Sequence, residues 1–297
     1  MSVGPIAGCG TALVTPFTSA GEVDEVALRA LVDWQLAEGV HFVVPCGSTG
    51  EAATLSIDEH VRVVAITAEQ VAGRVPVVAG AGSNDTQKAI ALSRAVRSAG
   101  ATHLLHVSPM YNKPQQRGIV AHFRAIASAV DLPIVVYNVP GRTASNIEAK
   151  TSLELAMVPG IVAIKEASGN VQQIAEILRG RPASFAVLSG DDALTLPVMA
   201  LGGDGVISVV SNATPRLMSA LVAACAARDF AVARALHFRL MPWMAAAFVE
   251  ANPAPVKAAL ALMGRLQNVL RLPLVPMADS LTPTVRAALQ AAGALDA

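Results

Sequence analysis

The chain has 297 residues, 53% of them hydrophobic and 15% charged, which is enough apolar material for a large core and argues against disorder. Its 22 basic and 22 acidic residues cancel, so the charge balance gives no support for nucleic acid or an anionic membrane surface as a partner. The longest uncharged runs fall short of the ~20 residues that a spanning helix needs, and Asp191, Asp192, Asp204 and Arg216 interrupt the most apolar region.

The chain opens on MSVGPIAGCG, which has no basic n-region and so argues against a signal peptide. Eight short apolar runs follow: 11–16, 41–47, 75–80, 102–109, 133–138, 160–165, 185–190 and 205–210. Each is continuously apolar rather than alternating, as expected of strands buried on both faces. Between them lie segments of helical period, such as 24–39, 58–73 and 84–100. Each begins at an Asp or Asn suited to cap a helix and ends at a Gly suited to close one.

Eight such units predict an α/β fold, a (β/α)8 TIM barrel. A doubly wound open sheet is the rival, but GCGTAL and GAGSND both lack the third glycine of its phosphate fingerprint. We expect the barrel over 1–211 and a wholly helical extension over 212–297, packed on the barrel, with breaks at MPW, NPAP and RLPLVP. Cys9, Cys46 and Cys225 are far apart, odd in number and form no CxxC pair. They suggest neither a disulfide framework nor a zinc site, and the expected setting is the reducing cytoplasm.

A barrel of this kind does its chemistry at the C-terminal ends of its strands. There the sequence places GSTGE (47–51), SPMYNKP (108–114), YNVPGRT (137–143), Lys165 and SGDD (189–192). Only five of the 22 basic residues are lysines, and one of them, Lys165, ends the apolar run GIVAI. Both tyrosines of the chain, Tyr111 and Tyr137, fall at these ends. Burial would lower the pKa of Lys165, and a neutral amine attacks a ketone to form a Schiff base. A phenol such as Tyr137 can move the protons. The turn carrying Ser48 and Thr49 offers hydroxyls and backbone N–H groups to a carboxylate, and Arg142 offers a two-pronged contact to a second one.

Each residue taken singly has a plain structural alternative. A strand-end lysine can snorkel to the surface, Ser48 and Thr49 can be turn residues, and Tyr137 can be a core aromatic. Asp191 and Asp192 resemble a metal pair but read better as a helix N-cap. His60 and His122 are expected on helix surfaces, and Cys46 is expected to pack or line the mouth rather than act as a nucleophile. The functional reading draws its strength from convergence on one end of the barrel.

The stretches GSTGEAATLS, SPMYNKPQQRG, YNVPGRT, GIVAIKEASGN, SGDDALTLPVMALGGDGVISVVSN, NPAPVKAAL and RLPLVP resemble, in order, the dihydrodipicolinate synthase/N-acetylneuraminate lyase family, and within it the synthase branch. The resemblance runs from about Gly8 to the C-terminal helices. It implies a barrel with a helical extension, assembled as a homotetramer that is a dimer of dimers.

It further implies that Lys165 forms a Schiff base with pyruvate and that no other cofactor or metal is required. Tyr137 matches the acid/base tyrosine, and Ser48 and Tyr111 match the rest of the proton relay, with Tyr111 reaching into a neighbouring subunit's site. Thr49 matches the residue that binds the pyruvate carboxylate, and Arg142 the arginine that receives aspartate semialdehyde. Ile207 matches the strand-8 residue whose carbonyl lines the pocket, and Gly190 a glycine on the opposite wall. The implied reaction condenses pyruvate with L-aspartate 4-semialdehyde on the way to diaminopimelate and lysine.

Two departures stand out. Synthases commonly carry two threonines where this chain has Ser48 and Thr49, and GSTGE is also the form of the family's sugar-acid lyases; Arg142 and Thr143 return the balance toward the synthase. Where many synthases bind feedback lysine, this chain has Ile57, Lys88 and Met110 in place of a histidine, an acid and an aromatic, although His60 and Asn84 remain. Lysine inhibition is therefore expected to be absent. A pyruvate-releasing aldolase for a sugar acid or hydroxy-oxo acid, and a catalytically dead barrel kept as a scaffold, are the competing readings.

Overall fold

The computed structural model describes residues 6–296. The eight apolar runs form strands β1 (Gly8–Ala12), β2 (Phe42–Val44), β3 (Val78–Gly80), β4 (His103–Val107), β5 (Ile134–Asn138), β6 (Ile161–Glu166), β7 (Ala186–Ser189) and β8 (Gly205–Ser208). They make one parallel sheet in the order β2-β1-β8-β7-β6-β5-β4-β3. A parallel bridge from Val43 to Val77 brings the two outer strands together, so the sheet curls into a nearly closed barrel. The first strand starts three residues before the expected 11–16 run and ends at Ala12. Its glycines carry no apolar side chain to announce it. At Gly205, where φ is 149°, a β-carbon would collide with the Gly8 carbonyl, so β1 and β8 can approach this closely only with glycine there.

The helices are α1 (Glu25–Ala37), α2 (Ile57–Val71), α3 (Thr86–Ser98), α4 (Gln116–Ala129), α5 (Pro140–Thr143), α6 (Ala149–Leu155), α7 (Val171–Gly180), α8 (Thr195–Ala200), α9 (Pro215–Ala226), α10 (Phe230–Ala246), α11 (Ala254–Leu262) and α12 (Thr282–Ala292). Asp24 caps α1 by accepting from Ala27 N. Ser56, not Asp58, caps α2, through a capping box with Glu59. Asp85, not Asn84, caps α3. The glycines that follow these three helices, Gly39, Gly73 and Gly100, all have positive φ.

The core lies in two layers. Leu104, Ile134, Val136, Ile164, Val187 and Val206 face outward into the helices. Val78, Leu105, Val135, Ala163, Leu188 and Ile207 fill the barrel. His60 and His122, expected on helix surfaces, are both buried. His60 Nε2 lies 2.8 Å from Gly80 O, and His122 Nδ1 lies 2.9 Å from Thr86 Oγ1. Each sits on the apolar stripe of its helix, where a polar partner compensates its burial. Burial holds both imidazoles below the usual histidine range.

Helix α9 lies against β1 and β8, and α10, α11 and α12 follow it. The extension is not wholly helical: residues 263–278 contain no helix. Nor does MPW interrupt α10, which runs through Pro242. No helix among the described residues is long and apolar enough to cross a membrane.

Candidate active site

The C-terminal ends of the strands open onto a cavity of about 350 Å³ lined by Ser48, Thr49, Tyr137, Arg142, Lys165 and Gly190, together with Val209, Phe248 and Asn252. Lys165 reaches it because of a register shift. Between β5 and β6 the pairing jumps from Ile134↔Ile161 to Val135↔Ala163, and beyond the irregularity Tyr137 pairs with Lys165. The alternation is thereby reset so that Ala163 and Lys165 face into the barrel. Lys165 is 5% exposed, and its Nζ sits 4.2 Å from the centre of the Tyr137 ring.

These surroundings set the protonation states. Burial pulls Lys165 down to about 8; Asp192 pushes it up again and Arg142 pushes it further down. Burial raises Tyr137 to about 12, opposed by Arg142. The pair is a lysine close to giving up its proton at neutral pH beside a phenol that keeps its own.

Glu166, next in sequence, points the other way. Its carboxylate accepts from Asn138 Nδ2, Ser168 N, Ser168 Oγ and Gln173 Nε2, which ties the ends of β5 and β6 together outside the barrel. Asp191 caps a short 3-10 turn by accepting from Ala193 N. Asp192 is not a cap; it is buried and accepts from Val209 N at 3.0 Å and Val210 N at 3.2 Å, anchoring the end of β8. Cys46 is buried, and its thiol is pushed well above the usual range, as befits a packing residue.

Two expected site residues lie elsewhere. Ile207 belongs to the barrel interior with Tyr137, while Val209 is the β8-side residue that borders the cavity. Tyr111 is 87% exposed, adopts φ 71°, and lines no part of the cavity of its own chain.

Sequence reasoning missed the anchoring of the 47–51 turn. Thr15 Oγ1 donates to Gly50 O at 2.7 Å. Lys257 of α11 lies 2.5 Å from Glu51 Oε1 with neither side chain exposed, and donates to Val269 O. Arg271 N donates to Glu51 Oε2. The Arg271 guanidinium clamps Glu59 and the carbonyls of Gly21 and Thr54. Asn252 Nδ2 donates to Thr49 Oγ1 at 2.9 Å. The available signal was a lysine inside the apolar run APVKAALAL, the same anomaly that marks Lys165.

A family model described as the dihydrodipicolinate synthetase family matches residues 5–292. The chain belongs to this family. A 4-hydroxy-tetrahydrodipicolinate synthase of Koribacter versatilis is 55% identical over 271 residues, covering 91% of this chain and 90% of that protein. Another, from Nitratidesulfovibrio vulgaris (strain DP4), is 52% identical over 289 residues, covering 97% and 99%. Among solved structures, dihydrodipicolinate synthase from Thermotoga maritima superposes with TM-score 0.96 at 43% identity, covering 98% of this chain and 99% of that one. The enzyme from Aquifex aeolicus gives 0.94 at 42%, covering 96% and 97%. These four relatives all carry the synthase name.

Proposed function

We propose that the protein condenses pyruvate with L-aspartate 4-semialdehyde to 4-hydroxy-tetrahydrodipicolinate, acting as a lyase-type synthase in lysine and diaminopimelate biosynthesis. The observation that carries this reading is the buried Lys165 amine beside Tyr137, in a cavity that also presents Thr49 and Arg142. The names of its relatives favour the synthase over a sugar-acid aldolase.

The Lys165 amine adds to the C2 carbonyl of pyruvate and, with loss of water, forms the Schiff base. A methyl proton leaves to give the enamine, whose carbon attacks the aldehyde. The substrate's amino group then adds to C2, closes the ring and expels the Lys165 amine. Tyr137 carries protons to and from these intermediates, with Ser48 beside it and Tyr111 supplied by a second subunit. Thr49 and the turn amides bind the pyruvate carboxylate, and Arg142 the carboxylate of the semialdehyde. Gly190 and Val209 complete the walls of the pocket. The chemistry needs no cofactor beyond the covalent lysine adduct and no metal.

The exposed position of Tyr111 supports a catalytic dimer, and from the family resemblance we propose a homotetramer acting in the cytoplasm. Borohydride reduction in the presence of pyruvate should add mass at Lys165, which a dead scaffold would not gain. A coupled assay with aspartate semialdehyde against sugar-acid substrates tests the choice of aldehyde. Turnover of the sugar acids alone would replace the synthase reading with the aldolase.

A further inference from the structure

The turn over 47–51 is bracketed by Cys46 and Glu51, with φ of 56° and 52°, a backbone conformation that residues other than glycine seldom adopt. Such a turn keeps its shape only when its surroundings fix it. Besides Thr15, the fixing comes from the C-terminal extension, and one of its contacts has a polarity that bears on the chemistry. Asn252 is 6% exposed and donates through Nδ2 to Thr49 Oγ1, while its Oδ1 is buried with no partner among the described residues. A buried amide held by a single hydrogen bond is costly, so its presence calls for an explanation.

A hydroxyl oxygen that accepts from an amide aims its own proton elsewhere. Thr49 makes no other side-chain hydrogen bond among the described residues, and it lines the cavity. We propose that Asn252 is a positioning residue that sets Thr49 as a hydrogen-bond donor toward the carboxylate of a 2-oxo acid. The inference rests on the reading of the site as a pyruvate site. Were the amide reversed, Thr49 would spend its proton on Asn252 and turn lone pairs toward a carboxylate. A residue some two hundred positions away from the turn thereby decides whether the turn attracts or repels its ligand.

The test is borohydride trapping at Lys165 over a range of pyruvate concentrations. Asn252→Ala should raise the half-saturating pyruvate about tenfold, the size expected for losing one oriented hydrogen bond to a charged group. Asn252→Leu, which keeps the branching and heavy-atom count and leaves no space behind, should do the same, and thermal unfolding verifies that each variant is folded. In a Thr49→Val background neither change should shift half-saturation by more than about twofold, because the residue through which Asn252 acts is gone. A merely structural role would give the same shift in both backgrounds. An equal shift in the two backgrounds, or no shift with Thr49 intact, overturns the proposal while leaving the pyruvate reading standing. Failure of the unsubstituted protein to trap pyruvate at all removes that reading and this one with it.

Discussion

Gly190 leaves open the space that the Lys165 side chain occupies: a β-carbon at position 190 would lie 3.0 Å from both Cγ and Cε of Lys165 and 2.7 Å from the Ala167 β-carbon. The wall opposite the amine is thus shaped by a missing atom. Gly190→Ala should leave the barrel folded but displace the amine, and a shift of that kind costs on the order of tenfold to a hundredfold in rate. Steady-state kinetics alongside a thermal melt would check both halves. Wild-type turnover in Gly190→Ala would mean that Lys165 has slack.

Lys165→Ala should abolish turnover and the pyruvate adduct together. Tyr137→Phe should keep the adduct but slow the reaction by ~10²–10⁴, the range for loss of a positioned acid/base. Single-turnover kinetics separate the two effects. A Tyr137→Phe enzyme at full speed would take the proton-carrying role away from that phenol.

The pH dependence follows from the same lysine. Its folded value of about 8 lies below the ordinary 10.5, so the neutral amine accumulates as pH rises toward and past 8. Adduct formation should climb with pH and level off above that point. Between about 8 and 10.5 the unfolded chain holds the proton and the folded chain does not, so stability rises with pH across that window. The penalty is at full size below about 8, and is at most about 3 kcal/mol. Lys165→Met should therefore melt several degrees higher than the parent at pH 7, with the gain shrinking as pH approaches 10.5.

Asp192 and Arg142 should move that profile in opposite directions. The Asp192 carboxylate favours the ammonium form of Lys165, and the Arg142 guanidinium disfavours it. Asp192→Asn, which can still accept from Val209 N and Val210 N, should shift the midpoint of adduct formation to lower pH. Arg142→Gln should shift it to higher pH. Trapping rates measured from pH 6 to 10 would read both, and shifts of the same sign would contradict the electrostatic account.

Free lysine should not bind. Lys88 and Ile57 are exposed where an acid and a histidine would be needed, and His60, the remaining ring, is buried and engaged with Gly80 O. A related solved structure, from Cyanidioschyzon merolae, has lysine bound. Calorimetric titration of this protein should show no binding below millimolar lysine, and a clear sub-millimolar isotherm would reverse the expectation.

The barrel was legible because strands buried on both faces leave uninterrupted apolar runs, and Lys165 was legible because it breaks one. The start of β1 was not, since Gly8 and Gly10 contribute no hydrophobic pattern. The register shift between Ile134 and Val135 was also hidden, because a bulge alters which face a residue takes without altering its sequence. His60 and His122 show the opposite error. Polarity suggested the surface, while their positions on apolar helix faces, each with a partner oxygen, allow burial. Asn252 and the Glu51–Lys257 pair were invisible as pairs, because contacts between residues 203 apart, as for Asn252 and Thr49, leave no local pattern.

That last separation has a bearing on biosynthesis. The turn presenting Ser48 and Thr49 emerges from the ribosome some two hundred residues ahead of Asn252, Lys257 and Arg271, which brace it. A nascent polypeptide that stops between Lys165 and Asn252 holds the reactive amine without the seat that orients its ligand, so catalytic competence waits for the bracing residues to be synthesised.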